Sequence, residues 1–243
     1  MKSSIIILDS SQRNTALYPS NNKWTYNSPK QYINPKKVEL ISAIIANSQY
    51  VINSNNYQFN LTYSGTLYTA TLTKQNYTAS TLATSLATAL NGLSVPSTTF
   101  TVSTNTDTLT FTITSTNAVV YNFSKNTTLS QLLGFPITDS SSNSSITSTN
   151  CYTVNTTRYY KVYIKELRPD FDTNISNSFN FIILNNVNSG EYLYLTDINN
   201  VNNSHEIDLK MNLSSLNIEI RDEWDQLCDF NGVYYLLFFK IYH

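Results

Sequence analysis

The feature that most limits what this chain can become is an alternation of apolar and polar residues, period two, repeated through residues 158–243. YYKVYIKEL at 159–167 sets Tyr160, Val162 and Ile164 on one side and Lys161, Tyr163 and Lys165 on the other. EIDLKM at 206–211 sets Ile207, Leu209 and Met211 against Asp208 and Lys210. LNIEIRD at 216–222 sets Leu216, Ile218 and Ile220 against Asn217, Glu219 and Arg221. FNFIILN at 179–185 and EYLYLTDI at 191–198 are further strand-like runs. Successive side chains on a strand point to opposite faces, so each alternating run has one face for a core and one for water. The closing run YYLLFFKIYH at 234–243 is apolar on both faces. It calls for cover on both sides, or for a partner subunit on one. Strands at such short spacing predict an antiparallel sandwich or barrel.

Charge bounds the possible partners. Charged residues are 13% of the chain, about half the usual share of roughly 25%. The polar surface must therefore come from Asn, Ser, Thr and the 18 Tyr. Tyr suits a half-buried strand or an interface, because it has an apolar body and a polar tip. The net charge of −1 provides no field to attract nucleic acid, and Lys36-Lys37 is the one adjacent basic pair. Two cysteines, Cys151 and Cys228, make no disulfide framework and are expected as reduced thiols. The opening MKSSIIILDSS has four successive apolar residues, short of the roughly 7–15 of a signal-peptide core. No run reaches the roughly 18 needed for a membrane span. The expectation is a soluble chain that folds in the cytosol, with its N-x-S/T triplets unmodified.

Taken in order, SIIILD at 4–9 reads as a short strand. Residues 10–35 carry Pro19, Pro29 and Pro35 with isolated apolar anchors. They read as an extended arm whose aromatics peg it to a surface. KKVELISAIIANSQYVI at 36–52 reads as a central strand or strand pair, with Val38 and Leu40 inward and Ser42 or Ile44 continuing that face. Between 53 and 149 the texture changes. YQFNLTY, Ser64-Gly65 and TLYTATLT predict a hairpin. Thr78 is placed to cap a helix bearing Leu82, Leu86, Leu90 and Leu93, which Asn91-Gly92 stops. TFTVST, TLTFTIT and VVYNF predict three strands, and Thr128 caps a short helix ending at Gly134 and Pro136. DSSSNSSITSTN at 139–150 reads as a flexible loop. The division that follows is an N-terminal arm with first sandwich strands (1–52), an inserted α+β domain (53–150) and the remaining strands (151–243). The alternative is two domains in series, divided near residue 150.

Catalytic chemistry is not legible. His205 stands in a polar stretch and His243 is the last residue of the sequence. No HExxH, CxxC, GxSxG, P-loop or GxGxxG motif occurs, and five Gly leave little for a phosphate-cradling loop. Asp222, Glu223, Asp225 and Asp229 form the densest cluster of acids. Such a set can bind calcium, but it reads as a solvated loop with Trp224 and Leu227 tucked beneath. The expected protein is no enzyme and has no catalytic residue, metal or cofactor.

The order of several short motifs resembles a known family. ILDSSQRN and YPSNNKWTYNSP, then VELISAIIANSQYVI, are similar to the start of penton and minor capsid proteins of large eukaryotic DNA viruses and virophages. Tyr77-Thr78, Leu82, Leu86, Leu90 and Leu132-Leu133-Gly134-Phe135 match the family's phrase of a Leu-rich helix, a hairpin and a closing LLGF. The resemblance covers roughly residues 5–135, and the plain run from Asp9 to Asn14 departs from the more charged one expected there. It implies an antiparallel jelly-roll sandwich, mainly β, with a small α+β insertion. It further implies a structural protein of the virion capsid: most directly a penton assembled as a homopentamer at icosahedral vertices, otherwise a minor capsid protein between or beneath the major capsomers. A carbohydrate- or receptor-binding module on the virion surface is the alternative from another class. The partners would be further copies of the chain, the major capsid protein and other capsid proteins, with no nucleic acid. Tyr18, Trp24, Tyr26, Tyr32, Tyr235 and Phe239 are the expected interface residues.

Overall fold

Eight strands pair in a nested order, the first with the eighth and so inward, and this order governs everything that follows. The computed structural model describes residues 2–155, 157–167, 181–195, 204–206 and 212–243, the stretch 204–206 by its backbone alone. The chain forms two compact units, residues 1–49 with 156–243, and residues 50–155.

In the first unit the strands are β1 (Ser3–Asp9), β2 (Lys23–Ile33), β3 (Lys37–Ala46), β9 (Tyr159–Ile164), β10 (Phe181–Leu184), β11 (Tyr192–Leu195), β12 (Ser204–Glu206), β13 (Asn212–Arg221) and β14 (Leu236–Tyr242). One sheet has the order β1-β14-β3-β11, with the short β12 also on β3, and the other runs β10-β9-β13-β2. Every pairing is antiparallel. Leaving out β12, the strands pair as a long hairpin would, β1 with β14, β2 with β13, β3 with β11 and β9 with β10. Rolling that hairpin so that β14 also meets β3 and β13 meets β9 yields a jelly roll.

The two sheets share one core. Ile6, Leu8, Val38, Leu40, Leu237, Phe239 and Ile241 come from the first sheet, and Trp24, Tyr160, Val162, Ile164, Ile218 and Ile220 from the second. Across the gap the rings of Phe181 and Phe239 lie 5.3 Å apart. Side chains interdigitating from two inner faces are what hold a sandwich together.

Residue 41 sets the phase of β3. Phe238 pairs with Ser42 but Phe239 pairs with Leu40, so Ile41 is an extra residue on β3. Such a bulge shifts the alternation by one. Val38 and Leu40 face the core before it, and Ala43 and Ile45 after it. The expectation that Ser42 or Ile44 continues the inward face is therefore corrected: both lie on the outer face, half-buried.

The expected N-terminal arm is corrected as well. Residues 23–33 are a full sandwich strand, hydrogen-bonded to β13 from Glu219 to Asn212. Pro29 sits where the register slips between Leu213 and Ser215, a place where the ring's missing N–H does no harm. His205, expected in a loop, belongs to β12 opposite Val38. Of the expected strands, 207–211 and the ends 179–180 and 196–198 lie outside the described residues.

The second unit holds β4 (Gln58–Tyr63), β5 (Thr66–Thr71), α1 (Ala79–Asn91), β6 (Phe100–Asn105), β7 (Thr110–Tyr121), α2 (Thr127–Leu132) and β8 (Asn143–Thr147). The sheet order is β5-β4-β7-β6, with β8 also on β7. Ser64 and Gly65 turn the β4–β5 hairpin with φ of 48° and 79°, the left-handed values a tight two-residue turn needs. Thr78 caps α1 by accepting from the backbone N–H of Thr81, whose own hydroxyl reaches back to the N–H of Thr78. Leu82, Leu86 and Leu90 are fully buried in one core cluster with Phe59, Leu61, Phe100 and Phe111; each such burial contributes about 1.5–3 kcal/mol.

Three local expectations change. Gly92 keeps a helical φ of −66°, so no left-handed glycine ends α1. Instead the Asn91 side chain accepts from the N–H of Phe100 and donates to its carbonyl, tying the helix end to β6. Asn126, rather than Thr128, caps α2, because its side chain accepts from Leu129 N–H while Thr128 is buried within the helix. The supposed flexible loop contains β8, held to β7 from Thr112 to Val119.

Candidate interaction surface

The sandwich presents two outer faces of opposite character. On the sheet β10-β9-β13-β2 the outer face is polar and internally paired. Lys23 on β2 meets Glu219 on β13 at 2.6 Å. Arg221 reaches Glu219 at 2.7 Å and Asp225 at 3.5 Å, and Lys161 lies 3.6 Å from Asp225. The Tyr163 hydroxyl donates to Asp225, and the Arg221 guanidinium stacks 5.4 Å from its ring centre. Tyr18 donates to Thr25 and Thr25 to Asn217, whose amide donates to Glu166. Burial raises the Tyr163 pKa and the bond to Asp225 raises it further. A groove of about 600 Å³ opens here, lined by Tyr18, Lys23, Tyr163, Lys165, Leu167 and Glu219 among others. Glu219 is the acid among its lining residues, paired with Lys23 and Arg221.

On the sheet β1-β14-β3-β11 the outer face is apolar. Ile5 is 62% exposed, Ile7 52% and Tyr194 64%. The register puts Ile7 beside Phe238 and Ser42, and Leu236 beside Ile44 and Tyr194. Tyr192 adds a second exposed ring 6.4 Å from Tyr194. Lys37, Glu39, Lys240 and Tyr242 bound this patch at one end, with the Tyr242 hydroxyl donating to Glu39 at 2.8 Å and both lysines over its ring. Contiguous apolar faces rimmed by polar groups are characteristic of surfaces that meet partners or ligands.

The six expected interface residues fall mostly elsewhere. Trp24, Tyr32, Tyr235 and Phe239 are buried in the sandwich core, and that expectation is corrected for them. Trp24 donates from its indole N–H to the Tyr235 hydroxyl at 2.7 Å, and Tyr235 donates to the Asn21 carbonyl. Their polar tips are satisfied inside, which is how a buried Trp or Tyr is tolerated. Tyr18 and Tyr26 are half-buried and pack on the same core. Ile5, Ile7, Phe238 and Tyr194 were missed. The signal for them was the two-faced apolarity of β1, β11 and β14. What the sequence lacked was which of two alternate faces meets the core.

The acidic turn is not a solvated loop. Asp222 is buried and accepts from the backbone N–H groups of Trp224 and Gln226 at 3.0 and 2.8 Å. Burial pushes its pKa up to about 6 against the pull of those bonds. Glu223 pairs with Arg158, and Asp225 with the cations named above. Among the described residues no three His, Cys, Asp or Glu side chains are placed to hold a metal ion. Cys228 is buried, which raises its thiol pKa, and Cys151 is exposed; both are free. No helix is long and apolar enough to cross a membrane among the described residues.

These features define a fold class: an antiparallel jelly-roll sandwich, with an α+β unit inserted between β3 and β9. No family model matches the chain, and no curated protein sequence matches it. Among solved structures, that of selenomethionine-labelled mavirus penton protein is similar, with a TM-score of 0.48 and 13% identity over 99% of each chain.

Proposed function

We propose that this chain is a non-catalytic structural protein of a viral capsid, with the vertex penton as its leading role. The observation that carries the reading is the contrast between the two outer faces. One sheet turns paired charges to water, while the other leaves Ile5, Ile7 and Tyr194 exposed and Phe238 half-buried. A shell subunit needs such a face and needs no site of turnover. The motif order through residues 5–135, which resembles penton and minor capsid proteins, supports the same reading. In a closed ring each subunit offers two different patches to its neighbours, and five copies would close at a vertex. The other partners would be the major capsid protein and further capsid proteins, and the chain would reside in the virion. The inserted unit, residues 50–155, would form a separate domain with its own core.

A second reading, a minor capsid protein between or beneath capsomers, is favoured by the outer edge of β1, which no strand pairs among the described residues and which suits a pairwise contact. Light scattering of the purified chain, with electron microscopy of any assemblies, separates the two. A five-copy ring is expected for the penton. A protein that stays monomeric at every concentration and forms no assemblies would sink the shell reading.

A further inference from the structure

We propose that β1 pairs antiparallel with β1 of a second copy of this chain, so that the first sheet continues across both copies. The inference rests on β1 alone and does not depend on the shell reading.

A sheet edge is a row of unpaired backbone groups, and proteins normally blunt it with short strands, bulges, lysine or proline. Among the described residues the contrast is between β2 and β1. β10 and β11 are described for four residues each, between Phe181 and Leu184 and between Tyr192 and Leu195. β2 carries Lys23, Pro29, Lys30 and an irregular register. β1 has seven residues, SSIIILD, with no proline, no lysine and no bulge against β14.

Its hydrogen-bonding phase is fixed by its flanks. His243 N–H donates to the Lys2 carbonyl and Ser10 N–H to the Tyr235 carbonyl. Residues alternate in direction along an antiparallel strand, so the even positions from 2 to 10 bond to β14. The N–H and C=O groups of Ser3, Ile5, Ile7 and Asp9 therefore point away from it. Among the described residues no strand takes them up, since β1 pairs with β14 alone.

The strand is complementary to itself. With a two-fold axis at Ile6, Ile5 of one copy faces Ile7 of the other, and Ser3 faces Asp9. All four residues in these pairs are outward-bonding ones, so every free group finds a partner. The same register sets the two exposed isoleucines side by side on the outer face, where cross-strand pairs of branched residues stabilise a sheet. It also brings Asp9, the only acid of the strand, to the Lys2–Ser3 end of the other copy, and no like charges meet. A shift of the axis to Ile5 or Ile7 leaves one outward-bonding residue of each copy unpaired within the strand.

The test is analytical ultracentrifugation of the full chain and of Ile7→Lys, with thermal unfolding to confirm that the variant folds; Ile7→Thr serves if it does not. The wild type should sediment as a pair, or as ten copies if it also closes a five-copy ring, and the variant should shift at least tenfold toward half that size. Oxidation of Ile5→Cys/Ile7→Cys in a Cys151→Ser background should link copies 5-to-7. A folded Ile7→Lys that associates as the wild type does, or no 5-to-7 link, overturns the pairing. If the wild type and Ile7→Lys are both five-copy rings, the pairing falls and the shell reading stands. If a pair forms without larger assemblies, the shell reading is the one in difficulty.

Discussion

Trp24 on β2 and Tyr235 at the entrance to β14 meet across the sandwich core, indole N–H to hydroxyl, at 2.7 Å. The same hydroxyl donates to the carbonyl of Asn21, so one atom stitches both sheets and the segment leading into β2. Both side chains are almost wholly buried.

Tyr235→Phe leaves the Trp24 donor and the Asn21 acceptor without this partner in the core. Each orphaned group costs about 1–3 kcal/mol. Thermal unfolding should show a lower Tm with no change in self-association, because neither group reaches the surface. A Tm equal to that of the wild type would mean that the bond contributes nothing.

Gly134 is required by both conformation and space. Its φ is +80°, and an added Cβ would stand 2.2 Å from the Asn150 carbonyl oxygen, which is backbone. Gly134→Ala should destabilise the second unit by at least ~1–3 kcal/mol. Gly92→Ala is the control: its backbone is already helical, and the new methyl would meet carbonyl oxygens at 3.4 and 3.5 Å. That variant should be neutral, or up to about 1 kcal/mol more stable. Chemical denaturation of both compares them directly, and equal losses would contradict the distinction.

Asp222 couples stability to pH. Its folded pKa of about 6 stands above its ordinary 3.8, so between those values the folded chain holds more proton than the unfolded one. Stability at this site is therefore greatest below about pH 4 and declines as pH rises to about 6. The total is on the order of 3 kcal/mol. Asp222→Asn keeps an acceptor for Trp224 and Gln226 but cannot ionise. Its unfolding free energy relative to wild type should improve from pH 4 to pH 7, and a constant difference across that range would refute the assignment.

Deleting residues 1–34 removes both β1 and β2. The truncation strips β13 of a neighbour along its length and uncovers Leu216 and Ile218. Loss of cooperative unfolding by the sandwich is expected in circular dichroism. A truncated chain that melts like the full one would show that the two strands are dispensable.

Much of the local structure was legible because it depends on neighbours in sequence. The Ser64-Gly65 turn, the Thr78 cap and the Leu82, Leu86, Leu90 stripe follow from turn chemistry and helical spacing. The alternations at 159–164 and 216–221 likewise marked strands before any pairing was known. Residues 10–35 were less legible. β2 is sparse in apolar side chains, and its place in the sheet comes from hydrogen bonds to β13, nearly two hundred residues away. Trp24 and Tyr235 looked like interface pegs for the same reason: an aromatic ring with a polar tip reads alike whether that tip meets water or another buried ring.

By itself the sequence determined that this chain makes antiparallel strands around an apolar core, with a capped helix in a separate stretch, since period and turn residues act over a few positions. Only the tertiary structure decided which side of each two-faced strand is inside. That choice depends on register between distant segments and on one extra residue, Ile41, in β3. A shift of one position exchanges the faces: past Ile41 the core face of β3 passes from Val38 and Leu40 to Ala43 and Ile45, while on β14 Phe239 lies in the core and Phe238 is half-buried on the outer face.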